Sequence, residues 1–215
     1  FERYNYQMSS STSDNSKIKE MNEINANTFS DGIDKSLNNA KELLSDALLL
    51  NENNRKARAH ALLNLCKEEI GKLLALSKLF IETKRGKIIV EDDLNGIFRG
   101  RDAHKDKIRS SLFLEHQIWD IAFDDKNDEF YKSVKTVTDN LINNVQESVT
   151  AKEDSLYVSF KRGKFFQPSE LISEDKVSDL IIMCALMIQS AEGIVEGLKT
   201  NLDAILKSCE KLLPK

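Results

Sequence analysis

Apolar side chains recur along most of this chain at steps of three and four residues, the spacing that gathers them on one face of an α-helix. The pattern predicts a first helix from Asp34 to about Asn51 and a second from about Arg55 to Thr83. The stripe of the second helix contains Leu62, Cys66, Glu69, Leu73, Leu76 and Phe80. A carboxylate within such a stripe is costly unless it is paired or reaches water. Glu69 therefore needs a partner or a place at the edge of the stripe.

Two further helices are predicted in the middle of the chain. One runs from Ala103 to about Phe123 and would bury Ile108, Leu112, Phe113, Trp119 and Ile121. The next runs from about Asp128 to Ala151 and has helically spaced Phe130, Val134, Val137, Leu141, Val145 and Val149. Because only the short segment 124–127 connects them, the two helices should be antiparallel neighbours.

The last third of the chain combines an extended segment with the longest helix. Apolar and polar side chains alternate before Gly163 and Pro168, which predicts extended chain around 155–167. A last helix is predicted from Ser173, which suits the N-cap position, to about Leu212. Its apolar seam contains Leu180, Cys184, Met187, Ala191, Ile194, Leu198, Leu202, Ile205, Cys209 and Leu212. A seam of this length is typical of a bundle core or of a dimer face.

These patterns together predict an all-α bundle of long antiparallel helices with one short extended segment. Residues 1–30 are predicted to be a disordered tail or an expression remnant, because most of them are polar. Residues 31–215 should form a single domain, because a chain of 215 residues with 40% hydrophobic content can bury one core. Gly193 and Gly197 in the last helix would let a neighbouring helix approach closely.

Composition and charge narrow the classes of function. The net charge is -4, so any affinity for nucleic acid has to come from a local patch. Cys66, Cys184 and Cys209 form no C-x-x-C pair, which favours a reducing cytoplasm over a disulfide framework or a zinc site. The longest apolar run, 180–188, is about half the length of a bilayer crossing. No membrane span, metal or cofactor is expected.

The segment Phe98–Arg109 carries the candidate chemistry. It contains His104 among the cations Arg99, Arg101, Lys105, Lys107 and Arg109, at a predicted junction between a loop and a helix. Arg99 and His104 match the spacing R-x4-H. Gly100 between them would let the arginine fold back over the first helical turn.

Two other arginine and histidine pairs have a similar spacing. Arg55 and His60 would lie about 140° apart around the axis of a continuous helix. Arg109 and His116 would be separated by about 10 Å of helical rise, too far to hold one phosphate together. The pair in the basic segment is therefore the candidate site.

A guanidinium and an imidazole can together cleave a phosphodiester without a metal. An imidazole titrates near neutrality and can take the proton from a ribose 2′-hydroxyl, while a guanidinium holds phosphate oxygens. DNA lacks this hydroxyl, so the substrate would be RNA. The cations that would contact the RNA backbone are Arg101, Lys105, Lys107 and Arg109. Glu69 would orient Arg99 or His104, or would instead be a core-edge side chain paired with a lysine. In the alternative without chemistry, His104 is a surface histidine on a solvated basic face.

Four segments occur in the order found in a known protein family. They are Asn39–Leu44 (NAKELL), Cys66–Lys72 (CKEEIGK), Phe98–Lys107 and Asp154–Val158 (DSLYV), the last of which precedes Pro168. In this order they resemble AbiV-type abortive-infection proteins of the HEPN superfamily. The resemblance covers about residues 35–200.

The resemblance implies a HEPN-like helical bundle that acts in bacterial defence against phage. The superfamily includes metal-independent ribonucleases with an R-x4-6-H motif, often with paired active sites at a dimer interface. Arg99 and His104 would then be the motif of a cytoplasmic homodimer that cleaves RNA, shuts down translation and is activated by a phage protein. Superfamily nucleases often have a polar residue directly after the arginine, and Gly100 departs from that pattern.

Two functions without catalysis are the alternatives. A non-catalytic helical module would bind a phage protein and block infection by assembly, and His104 would then be dispensable. A regulator would bind RNA in a salt-dependent manner and leave it intact.

Overall fold

The computed structural model describes residues 23–212 apart from 100, 101, 123, 124 and 126. Its helices are α1 (Ala26–Glu52), α2 (Lys56–Lys84), α3 (Asn95–Phe98), α4 (Ala103–Ala122), α5 (Glu129–Asn143), α6 (Val145–Leu156), α7 (Pro168–Leu171), α8 (Glu174–Thr200) and α9 (Leu202–Leu212). A 3-10 turn (Glu91–Leu94) precedes α3, and two short strands, β1 (Ser159–Lys161) and β2 (Lys164–Phe166), follow α6. The predicted all-α class is confirmed.

The first helix begins at Ala26 rather than at Asp34. Asn25 caps it, because its side chain accepts a hydrogen bond of 3.0 Å from the backbone N–H of Thr28. Phe29 in the first turn is 1% exposed and belongs to the core. Residues 26–30 are therefore part of the domain, and the predicted tail extended too far. Its residues 1–22 lie outside the described part of the chain.

Helix α2 is central to the bundle and packs against α1, α4, α6 and α8. Its buried side chains Leu63, Ile70 and Leu73 share one hydrophobic core with Phe29 of α1 and Met187 of α8. Each fully buried side chain of this kind contributes about 1.5–3 kcal/mol to folding. The apolar stripe predicted for α2 therefore faces the core of the bundle.

Gly71 sets the distance between α2 and α4. A Cβ atom at this position would lie 1.9 Å from the backbone oxygen of Lys107 and 2.6 Å from its carbonyl carbon. Both are backbone atoms, so no side-chain rotation could relieve the overlap. The missing side chain of Gly71 thus lets the first turns of α4 lie directly on α2, which brings His104 close to the middle of α2.

Helix α4 is buried on two sides, which explains one wrong prediction. Leu112 packs with Ile108 and Val145 in a small cluster, whereas Leu114 packs in the main core. Phe113 falls between these two directions around the helix and is 53% exposed, so its predicted burial was wrong. The side chain of Ile121, also predicted to be buried, is not among those the structure describes.

The predicted helix 128–151 is two helices, because Asn144 leaves the helical conformation (φ -126°, ψ 60°) between α5 and α6. The predicted contact between α4 and α5 is confirmed. The Tyr131 hydroxyl near the start of α5 donates to Asp120 near the end of α4 (2.6 Å), and Lys135 further along α5 contacts His116 (2.6 Å). These contacts run in opposite directions along the two helices, as expected for antiparallel neighbours.

The extended segment predicted around 155–167 contains an antiparallel hairpin. Ser159 pairs with Phe166, Phe160 with Phe165, and Lys161 with Lys164. Arg162 and Gly163 form the two-residue turn with φ values of 50° and 79°. Positive φ at both central residues is the requirement of a tight hairpin turn whose twist matches the strands.

The predicted helix 173–212 is interrupted at Asn201 (φ -126°, ψ 27°), so α8 and α9 are separate. Ile205 of α9 lies 3.8 Å from the position of a Cβ at Gly197, whereas a Cβ at Gly193 would meet no atom of the described residues within 4 Å. Helix α8 is long and apolar enough to cross a membrane by length and composition. About a third of its apolar stretch, including Cys184, Met187 and Ala191, is buried inside the domain. The side chains of Cys209 and Leu212 at the end of α9 are not described.

Candidate functional site

His104, in the first turn of α4, is held by a buried carboxylate from α2. Its Nδ1 lies 2.6 Å from Oε2 of Glu68. The Glu68 side chain is 5% exposed, whereas the imidazole is 55% exposed. Because an ionised carboxylate only accepts hydrogen bonds, Nδ1 carries the proton and Nε2 of the neutral ring has a free lone pair. The histidine is thus held through Nδ1 by a buried side chain, while much of its ring is open to solvent.

Two lysines surround the same carboxylate. Lys152 of α6 donates a short hydrogen bond to Oε1 of Glu68, and the ammonium of Lys107 lies 4.0 Å from Oε2. Burial lowers the pKa of Lys107, and the charge of Glu68 partly opposes this shift. A buried carboxylate is tolerated when it is paired and hydrogen-bonded in this way. Glu68 therefore joins α2, α4 and α6 at one point.

Glu69 pairs with Lys72, whereas His104 contacts Glu68, and a role of Glu69 in orienting Arg99 stays a prediction. Its carboxylate accepts a hydrogen bond of 2.6 Å from Lys72, which was the alternative expectation of a lysine partner. The Lys72 ammonium also lies 5.6 Å from the ring centroid of Phe98. Neighbouring residues of a helix point about 100° apart, so Glu68 faces α4 while Glu69 pairs along its own helix.

Glu68 lies on a second buried face of α2 that the apolar stripe did not reveal. The residues on this face are mostly small, and those that are buried include Ala57, Ala61, Glu68 and Gly71. Small residues at helical spacing indicate close packing against another helix. A glutamate within such a row is the sequence signal that could have identified this carboxylate.

Arg99 ends α3 in an extended conformation (φ -131°, ψ 155°) and is exposed. Gly100 and Arg101, which follow it, lie outside the described residues. The binding of one phosphate by both Arg99 and His104 therefore stays a prediction.

The other predicted RNA contacts fall into two groups. Lys107 is buried beside Glu68, so it does not extend an exposed basic surface as expected. Lys105 and Arg109 reach solvent, but each pairs with an acid one turn away. The Lys105–Asp102 distance is 3.7 Å and the Arg109–Asp106 distance is 2.8 Å. Their charges are partly neutralised within α4.

The two histidines of the competing pairs are engaged elsewhere. The Nδ1 of His60 lies 2.6 Å from the Ser155 hydroxyl, and burial, followed by the charges of Lys176 and Lys67, lowers the His60 pKa to about 4. His116 contacts Lys135 through Nδ1, and Nε2 lies 3.2 Å from Asp139. Within the described residues, no group of three or more His, Cys, Asp or Glu side chains could hold a metal ion.

The chain matches the model of one protein family. The family model for the AbiV proteins, a group of HEPN domains, matches residues 28–189. No curated protein and no solved structure is significantly similar to the chain. The match includes α2 and α4 with Glu68 and His104 and covers most of the chain. The chain therefore belongs to the AbiV family of HEPN proteins, whose function is abortive infection.

Proposed function

We propose that this AbiV-family protein is a metal-independent endoribonuclease in which His104 acts as general base and Arg99 holds the scissile phosphate. The observation that carries the proposal is the 2.6 Å contact between Nδ1 of His104 and the buried Glu68. This contact fixes both the tautomer and the direction of a ring that is exposed to substrate. A carboxylate behind the ring is the kind of support that orients a histidine acting as general base.

The chemistry follows from the free nitrogen of the ring. Nε2 of His104 removes the proton from a ribose 2′-hydroxyl, the 2′ oxygen attacks phosphorus, and the 5′ oxygen leaves with a proton taken from water. The products are a 2′,3′-cyclic phosphate and a 5′-hydroxyl. The imidazolium that forms lies against the Glu68 carboxylate, which stabilises its charge. Arg99 neutralises the charge that develops on the phosphate oxygens.

The cellular setting is also part of the proposal. The protein acts in the cytoplasm as a homodimer, responds to a phage protein and shuts down translation by cleaving RNA. In such a homodimer, two sites would act on one RNA. Abortive infection requires that an infected cell stop making phage, and loss of translated RNA has that effect.

The test is an incubation of purified protein with total RNA in EDTA, followed by analysis of the RNA ends. Wild-type protein should release fragments with 2′,3′-cyclic phosphates, and His104→Ala and Arg99→Ala should release none above background. His116→Ala is a matched control, because His116 lies on the same helix but is engaged with Lys135. If His104→Ala protein still protects cells against phage, the enzyme reading is wrong and the non-catalytic binding module takes its place.

A further inference from the structure

The hairpin that follows α6 presents two aromatic rings to solvent. Phe160 is 63% exposed and Phe165 is 75% exposed, although both lie in strands. They are direct cross-strand partners, so they share one face of the hairpin, and their ring centroids are 4.9 Å apart. The ring contact stabilises the hairpin, and exposed apolar surface beside polar residues is typical of interaction sites.

The opposite face of the hairpin is partly buried and is joined to the end of α6. Ser159 and Phe166 are a cross-strand pair on that face, and both are partly buried. Asp154 at the end of α6 accepts hydrogen bonds from the Ser159 hydroxyl (2.6 Å) and from Lys161. These two contacts are made by residues of the face opposite the two rings. The rings themselves are exposed.

The hairpin also carries positive charge beside the rings. Arg162 and Lys164 are exposed, and neither forms an ion pair with any described residue. Lys161 is neutralised by Asp154, so these two side chains are the cations that remain available. Arg162 holds a positive φ of 50°, which Asn or Gly adopts more readily than Arg does.

We propose that this hairpin is a stacking platform for unpaired RNA, an inference that rests on the proposed ribonuclease function. Bases stack on the rings of Phe160 and Phe165, and the adjoining phosphates contact Arg162 and Lys164. Aromatic rings beside cations are the combination that binds single strands without reading their sequence. The platform would hold the substrate strand while His104 acts on it.

The position of the hairpin suits this role. Lys152 contacts the carboxylate that holds His104, and Phe160 follows eight residues later in the same segment. About one helical turn and four extended residues separate the two, so the Cα atoms of Lys152 and Phe160 are no more than about 20 Å apart. A single RNA strand of several nucleotides can therefore reach both the platform and His104.

A second copy of the chain is a less suitable occupant. A two-fold interface places the same patch of each subunit against the other. Such an interface would bring Arg162 and Lys164 of both subunits close together, and like charges in contact oppose association. Phosphate groups complement these charges instead.

The test measures the affinity of the full chain for a 2′-O-methyl oligoadenylate of about ten nucleotides, a length within the range of single-strand sites. This probe has no free 2′-hydroxyl, so binding is measured whether or not the protein cleaves RNA. Phe160→Leu and Phe165→Leu should each weaken binding about 5- to 100-fold. Phe165→Trp should retain it, since tryptophan also stacks. Phe113→Leu, at an exposed ring on α4, is the control and should bind like wild type.

Three results would overturn the platform. The first is that wild-type protein fails to bind the probe. The second is that the two leucine variants bind it as wild type does. The third is that these variants change self-association or capture of a protein partner while RNA affinity stays constant. Arg162→Gln and Lys164→Gln should in addition reduce the salt dependence of binding. Cleavage in EDTA is scored separately. If wild-type protein cleaves RNA and the leucine variants bind the probe normally, the platform alone is wrong. If the leucine variants bind the probe weakly but wild-type protein does not cleave RNA, the ribonuclease proposal alone is wrong.

Discussion

The Nδ1 atom of His104 lies 2.6 Å from Oε2 of Glu68, and this contact joins the exposed first turn of α4 to the buried middle of α2. Lys152 holds the other carboxylate oxygen, so the orientation of Glu68 is itself fixed. The histidine thus loses little freedom when substrate binds, which is the condition for efficient proton transfer.

The contact predicts a single tautomer for His104. At pH 8 the ring should carry its proton on Nδ1, and long-range ¹H–¹⁵N spectra should assign it. Glu68→Gln removes the charge that holds this tautomer, so the ring should become a mixture. Glu69→Gln is the matched control, because Glu69 pairs with Lys72 and should leave the spectrum of His104 unchanged. An Nε2-protonated ring in the wild type would contradict the proposed orientation.

Gly71 predicts a strong effect of one methyl group. In Gly71→Ala the added Cβ would overlap the Lys107 backbone, so α2 and α4 must separate. The free energy of unfolding should fall by about 1–3 kcal/mol or more, and RNA cleavage should fall with it because His104 moves away from Glu68. Urea titration measures the first effect.

Gly193→Ala is the control for this change, because its Cβ would meet no described atom within 4 Å. The substitution should stabilise α8 by roughly 0.5–1 kcal/mol through helix propensity. A dimer contact at Gly193, as expected from the seam, would instead show itself as weaker self-association in sedimentation of the variant.

His60 predicts a loss of stability in mild acid. Its folded-state pKa of about 4 lies below the unfolded value of 6.5, so the unfolded chain binds the proton first as pH falls. The contribution of His60 to the free energy of unfolding is fully present above pH 6.5. It is lost between pH 6.5 and 4 and amounts to on the order of 3 kcal/mol. In His60→Asn, which can still bond to Ser155, this part of the pH dependence should vanish in urea titrations at pH 7.5 and 5. An equal decrease in the free energy of unfolding from pH 7.5 to pH 5 in both proteins would contradict the assignment.

Cys184 predicts resistance to alkylation. A hydrogen bond with Cys66, burial and the neighbouring charge of Cys66 raise the pKa of the Cys184 thiol well above its usual value, and both thiols are buried. Iodoacetamide at pH 8 should therefore leave Cys66 and Cys184 unmodified in the native protein and label them in urea, as mass spectrometry can determine. Rapid labelling of Cys184 under native conditions would contradict the burial of this thiol.

The long helices were predictable because each buries a stripe at regular spacing. The two interruptions were not, since apolar residues continue at helical steps on both sides of Asn144 and Asn201. In both places the interrupting residue is asparagine, whose side chain competes with the helix for backbone hydrogen bonds. The pattern of apolar residues alone does not register that competition.

The contact between His104 and Glu68 was not predictable from the local pattern of the sequence. His104 was singled out by its spacing to Arg99. Glu69, one residue from the actual partner Glu68, was considered either as a residue orienting Arg99 or His104 or as a core-edge side chain paired with a lysine. Glu68 was missed because α2 packs on several sides, and the apolar stripe describes one of them. Lys152 lies 84 residues from Glu68 in the chain, so no local pattern could connect them. Such contacts depend on how the helices pack.

The most direct test of the central claim is a double-mutant cycle on His104 and Glu68, read as single-turnover cleavage of an RNA oligonucleotide in EDTA. His104→Ala should slow cleavage by about 10²–10⁴-fold and Glu68→Gln by about 10²-fold, since Glu68 acts through the histidine. The double variant should then cleave no more slowly than His104→Ala alone. Undiminished cleavage by His104→Ala, or a double variant slowed by the product of the two single effects, would contradict the account.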